Sequence, residues 1–177
     1  MSPGPLPTAL LERFPGLAEA AERAAFGAKA GQSYVFHGSD FAVLALVGIG
    51  EAPSAEDARV FGFRAAKIAR EHGLTSLHLA QLPSTEHAAR LSVEGASLGS
   101  YVFTAYQANE RPELTEVVLA DEGQSGQGSD GLIRAACVRD ARDLANGGAG
   151  DVTPTRLAEF ARGKVDSLAA EGHQVEL

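Results

Sequence analysis

An α/β fold, in which helices cover a parallel or mixed sheet, is the class this sequence predicts, and three observations carry it. Short apolar, partly β-branched runs alternate with segments of helical periodicity, which is the order that helices packed on a sheet produce. The run Phe41 to Val47 is apolar at every position, as in a strand covered on both faces at the centre of a sheet. At 177 residues and 45% hydrophobic, the chain is long enough for one substantial core and short for two independent ones.

The opening MSPGPLP carries three prolines and no periodicity, and it reads as a loose arm. From Thr8 to Ala30 an alanine-rich helical segment is interrupted at Phe14-Pro15-Gly16, because proline lacks the interior donor and disfavours helix at the residue before it. Two short helices are expected. Ser33 to His37 and Phe41 to Val47, separated by Gly38-Ser39-Asp40, read as a hairpin or a tight strand connection. Ser54, with Asp57 three residues on, marks an N-cap; Ala58, Phe61, Ala65, Ile68 and Ala69 then recur at helical spacing up to the stop at Gly73. Ser76 to Leu82 is a further strand. Ser84 to about Val102 is a helix with Ala88, Leu91, Gly95, Leu98 and Val102 on one face, and Thr115 to Ala120 is another strand. Gly123 to Gly131, GQSGQGSDG, has little to bury and is expected as a mobile surface loop.

Two helices close the chain. Leu132 to Ala145 offers the stripe Ile133, Ala136, Cys137 and Leu144, and Pro154 to Ala170 offers Leu157, Phe160, Ala161, Val165 and Leu168. His173 to Leu177 looks like the opening of a strand. Between the helices, NGGAGDVTP could cradle an anion, act as a hinge or simply connect. Asp151 already places a carboxylate there and Thr153 can cap the second helix, so a connector is the expectation.

The net charge of -8, from 15 Lys and Arg against 23 Asp and Glu, opposes a phosphate-tracking surface, so no nucleic acid is expected as a partner. The single cysteine, Cys137, excludes an internal disulfide and any CxxC motif, and its place on an apolar stripe makes it a small core side chain. The longest apolar run has strand length and no basic leader precedes it, so no membrane partner is expected and the protein reads as cytoplasmic.

Few constellations point to chemistry. Gly48-Ile49-Gly50 sits between a strand and a helix, where glycines of a dinucleotide-binding turn would admit a pyrophosphate; Pro53 occupies the third glycine position, which favours a structural turn and leaves Gly48 and Gly50 as the only cofactor-binding candidates. His37, His72, His78, His87 and His173 show no i, i+4 pair for zinc, and no serine lies in GxSxG. Arg64, Lys67 and Arg70 form a short basic stripe, read as a solvated face beside Asp57 and Glu71. Asp121-Glu122 offers two carboxylates, too few for a hard cation. Neither catalytic residues nor metal ligands are assigned.

Three patterns occur in order: VGIG at Val47 to Gly50, EGASLGSYVFTAYQ at Glu94 to Gln107, and RDARDLANGGAGDVTPTRLAEFA at Arg139 to Ala161. Together they resemble the N-terminal domain of the leucyl (cytosol) aminopeptidase family. There a Val-Gly-Leu-Gly turn follows a central strand, a Leu-Gly-x-Tyr-x-Phe segment ends a long helix, and Ala-Arg-Asp-Leu-x-Asn followed by a Thr-Pro helix start leads to the catalytic domain. The resemblance runs from about Leu10 to Leu177.

It implies a three-layer α/β sandwich similar to macro domains, with residues 1–9 a flexible arm, 10–146 the N-terminal α/β domain, and 147–177 the connector and linker helix. Family members are hexameric enzymes that remove N-terminal residues from peptides with two divalent metals, commonly zinc, manganese or magnesium. Their ligands lie in a C-terminal domain, in Gly-Lys-Gly-x-x-Phe-Asp and Asn-Thr-Asp-Ala-Glu-Gly-Arg stretches. Neither stretch occurs here, and Ala120-Asp121-Glu122-Gly123-Gln124 has the wrong order to stand in.

Two departures stand out. The family's first strand has no counterpart before Leu10, and its Asn-Thr-Pro-x-Asn connection becomes Asn146-Gly147-Gly148-Ala149-Gly150. The expected role is a non-catalytic domain that serves assembly and active-site access. Its partner is a peptidase catalytic domain in cis or in trans, and the chain ends near where that domain would begin. The alternative is a stand-alone macro-like module that binds a nucleotide-type molecule near Gly48 and Gly50. A DNA-contacting role is disfavoured by the acidic balance.

Overall fold

A computed structural model describes residues 6, 8–38, 43–107, 114–120 and 122–172. Contacts divide the chain into two compact units, Met1–Arg139 and Asp140–Leu177.

In the first unit, helices α1 (Thr8–Arg13) and α2 (Leu17–Arg23) are separated at Pro15-Gly16, with Gly16 in the left-handed region at φ 83°. The break turns Leu17 into a core residue. It is fully buried and clusters with Ala21, Phe26 and Leu46, flanked by Leu10, Phe14 and Tyr34. Leu46 belongs to β2 (Leu44–Val47), which pairs antiparallel with β1 (Ser33–Phe36) from Ser33 opposite Val47 to Phe36 opposite Leu44. The pairing agrees with the expected hairpin. Residues 39–42, which include the start of the predicted second strand, lie outside the described residues, and among those described β1 is the sole neighbour of β2.

Helix α3 (Ala55–Glu71) starts where the sequence placed it. Asp57 N–H donates to Ser54 Oγ (3.3 Å), while Ser54 N–H donates to Asp57 Oδ2 (2.8 Å), a reciprocal capping box. Strands β3 (Ser76–Leu79) and β4 (Glu116–Leu119) pair in parallel, Ser76 opposite Glu116 and Leu79 opposite Leu119. Helix α4 lies between them in sequence, as a parallel pair requires of its crossover. It runs from Ala88 to Ser100, so residues 84–87 and Val102 fall outside the helix predicted for Ser84 to Val102. The single apolar face predicted for it is also corrected, because ten of its residues are buried, Ser92, Glu94 and Ser97 among them.

The expected loop at Gly123 to Gly131 is a correction. A short 3₁₀ turn at Glu122–Gln124 leads into α5 (Ser125–Asn146), which takes in most of the glycine-rich stretch. Gly128 and Gly131 are buried; a Cβ on Gly128 would sit 3.1 Å from Leu119 Cδ1, and one on Gly131 would overlap the Arg90 carbonyl. Glycine costs about 1 kcal/mol per position in a helix, and here close packing outweighs it. The buried positions of α5 are Gly128, Gly131 and Ala135, so the predicted stripe is corrected too: Ile133 is 65% exposed and Cys137 is exposed, not a core side chain.

In the second unit, Thr153 Oγ1 accepts from Arg156 N–H (3.3 Å) and Pro154 opens α6 (Pro154–Ala170), as the Thr-Pro signal predicted. The connector before it is a hydrogen-bonded turn: Gly147 N–H donates to Asp143 O (3.0 Å), and Asp151 and Val152 N–H both donate to Gly148 O (2.8 and 2.9 Å). Lys164 Nζ lies 2.6 Å from Asp140 Oδ2. No residue of α6 is buried. The strand expected at His173 to Leu177 lies outside the described residues, as does most of the proline-rich arm.

Candidate functional site

The glycine turn after β2 is a packing device. Gly48 N–H donates to Gln32 O (2.7 Å), Gly48 O accepts from Gly31 N–H (3.0 Å), and Gly50 N–H donates to Ala28 O (3.0 Å). A Cβ on Gly48 would overlap the backbone at Lys29, and Gly50 adopts φ 76°. Both amides that a pyrophosphate would need are therefore committed to the preceding loop. Gly48 and Gly50 fit the structural turn and not the nucleotide reading.

The second pattern, at Glu94 to Gln107, is also explained by packing. Helices α3 and α4 cross so closely that a Cβ on Gly62 would overlap the Ser92 carbonyl. One on Gly95 would overlap the Arg59 carbonyl, and one on Gly99 the Phe63 carbonyl. Ser92 Oγ–H donates to Ala58 O (3.2 Å) across the same seam. Glu94, 9% exposed, accepts from Arg59 Nε at 3.0 Å and has the Arg90 guanidinium 3.9 Å from its second oxygen. Arg59 also pairs with Glu56, and Arg90 lies 3.6 Å from Asp130, which accepts from Arg134 Nε (3.1 Å). Glu94 is the poorly hydrated member, so removing Arg59 or Arg90 would leave its carboxylate less compensated, whereas Glu56, Asp130 and Arg134 are solvated.

The basic stripe does not converge on a site. Arg70 donates to Tyr101 O (3.3 Å), Lys67 pairs with Glu71 (3.9 Å), and Arg64 lies against Gly31 with its Nε buried and without a hydrogen bond. Arg64 and Arg70 are half-buried, which corrects the expectation of a wholly solvated face; only Lys67 of the three is exposed. Tertiary folding brings His37 and His72 together, ring centroids 5.2 Å apart, which no sequence spacing signalled. His173 and Asp121 lie outside the described residues. Among the described residues no group of three or more His, Cys, Asp or Glu side chains could hold a metal ion, so a catalytic metal finds no ligand set there and no catalytic step is assigned to them.

One concave feature was missed by sequence reasoning. A cleft of about 520 Å³ opens beyond the ends of β3 and β4, lined by Leu82, Thr85, His87, Gln124 and Gln127 among others. Its residues come from segments about forty positions apart, and no motif announces it. No helix among the described residues is long and apolar enough to cross a membrane.

Comparison with known proteins places these features in a family. Residues 4–110 match the model of the cytosol aminopeptidase family, N-terminal domain. A probable cytosol aminopeptidase of Leifsonia xyli is 32% identical over 135 residues, which cover 72% of this chain and 26% of that protein. Among solved structures, a K354E mutant of tomato leucine aminopeptidase superposes with a TM-score of 0.82 at 22% identity, over 93% of this chain and 35% of that one. The bottromycin maturation enzyme BotP in complex with Mn gives 0.70 at 28% identity, over 94% and 35%. This chain thus spans about a quarter of the length of the curated relative it matches. On the family match and this identity, the chain belongs to the cytosol aminopeptidase family, as its N-terminal domain.

Proposed function

We propose that this chain works as the non-catalytic N-terminal domain of a leucyl aminopeptidase-like metallopeptidase. The observation that carries the reading is where the match falls: residues 4–110 correspond to the family's N-terminal domain, and the chain covers 26% of a curated relative. The chemistry, removal of N-terminal amino acids from peptides, then belongs to a catalytic domain present in cis or in trans. There, two divalent ions (zinc, manganese or magnesium) would activate water and polarise the scissile carbonyl.

In this reading the domain serves assembly and access to that active site within a cytoplasmic oligomer, a hexamer. In the same reading the two described strand pairs, β1–β2 and β3–β4, are parts of a three-layer, macro-like sandwich. The exposed apolar side chains of α6 support a packing role: Leu157, Phe160 and Leu168 are 41%, 36% and 40% exposed, more apolar surface than a solvated helix needs.

The test is to purify the 177-residue chain and assay leucine p-nitroanilide hydrolysis with added manganese, alone and with the separately expressed catalytic domain of the Leifsonia xyli relative. The chain alone is expected to give no turnover above metal and buffer, and to co-elute with the catalytic domain on size exclusion. Robust metal-dependent turnover by the chain alone would overturn the reading.

A further inference from the structure

We propose that His37 and His72 together bind one divalent transition-metal ion of the zinc type at the surface of the first unit. His37 directly follows β1, whose last residue, Phe36, pairs with Leu44 of β2. His72 ends α3, where its N–H donates to Ile68 O (3.0 Å). Secondary structure therefore holds the backbone beside each ring, and the fold alone brings the two rings together.

The ring geometry suits a shared ion. The centroids are 5.2 Å apart and the planes are inclined at 57°. Two imidazoles on one tetrahedral ion, with metal–nitrogen bonds of about 2.0–2.1 Å, bring their ring centres to about 5 Å from each other. The observed spacing matches that. The inclination is no obstacle, because both residues are exposed and such rings turn about their side-chain bonds without disturbing a core. The nitrogens are also available: among the described residues neither imidazole makes a hydrogen bond or an ion pair. His78 and His87 have no second imidazole beside them among those residues, and His87 lies 3.4 Å from Glu86 instead.

Imidazole nitrogen suits zinc, copper and nickel, whereas magnesium and calcium prefer oxygen ligands. Two protein ligands are one short of a catalytic zinc centre, so water completes the shell and the ion exchanges readily. The net charge of -8 favours an added cation. Bound across the two rings, the ion ties the end of β1 to the end of α3 and stabilises the folded state by mass action.

The experiment is a titration of the full 177-residue chain with zinc chloride at neutral pH, read by amide and imidazole nitrogen chemical shifts, with magnesium chloride as the control. Zinc is expected to move the signals of His37 and His72 together and saturably, and magnesium to move neither. His37→Ala and His72→Ala should each weaken zinc binding about a hundredfold, because a single imidazole then holds the ion without a second at high effective concentration. Both positions are exposed, so these substitutions leave folding intact. His78→Ala and His87→Ala should leave the affinity unaltered. Zinc shifts confined to one of the two rings, an affinity that survives His37→Ala or His72→Ala, or equal shifts with magnesium would each overturn the proposal.

Discussion

At the scale of single residues, glycines decide how closely this protein packs. Gly62, Gly95 and Gly99 sit where α3 and α4 touch backbone to backbone, and each lacks room for one methyl group. Gly62→Ala is expected to lower stability by about 3 kcal/mol, the upper range for overpacking, because the obstacle is the Ser92 carbonyl and no flexible side chain can yield. Urea unfolding checks it: the midpoint should fall with an unchanged slope. The sequence revealed Gly95 as part of a helical face but gave no sign that Gly62 is its counterpart. Helical spacing reports which positions share a face, and the partner helix alone decides how near that face comes. The same limit explains Cys137. Its stripe was apolar in sequence, yet α5 packs through its small residues, which allow closer approach than Ile133 or Cys137 would.

At the scale of elements, local chemistry was legible where it was self-contained. The α3 capping box, the break at Pro15 and the Thr153-Pro154 start of α6 all use partners within four residues. The cap of α3 is also pH-dependent. Asp57 has its pKa lowered, first by the hydrogen bond from the Ser54 hydroxyl and then by that from the Ser54 amide. A carboxylate whose pKa is lower folded than unfolded contributes stability in full above the ordinary aspartate range. That contribution is lost as pH falls through the lowered folded value. Asp57→Asn should therefore be less stable than the parent chain at neutral pH, with the gap closing as acid is added below the carboxylate range. Urea midpoints of both chains across that pH range would show it; a gap constant with pH would refute it. The element that sequence misplaced, Gly123 to Gly131, was misread for the opposite reason: its helix depends on packing against α4, far from it in sequence, as well as on the nearby β4.

At the scale of the whole molecule, burial is unevenly shared. Helix α4 is buried at most of its positions, whereas α6 buries none. Amide exchange should follow: the interior amides of α6 should exchange at least about a hundredfold faster than those of α4, because local opening there exposes little apolar surface. Equal protection in both helices would show that α6 is covered in solution, by a second copy or another partner.

The sequence by itself determined the alternation of strands and helices, the caps and breaks, the acidic balance and the ordered patterns that resemble the cytosol aminopeptidase N-terminal domain. Each is written in neighbours a few positions apart or in the composition of the chain. The tertiary structure decided why those patterns take the form they do. Gly48 is spent on the loop at Ala28 and Lys29, Gly95 and Gly99 on the α3 seam, and Glu94 on arginines from two helices. It alone opened the cleft beside Thr85 and His87, because that cleft exists only where two parallel strands end side by side after a helical crossover. Local signals fix what each segment becomes; contact between distant segments fixes which surfaces are left for chemistry.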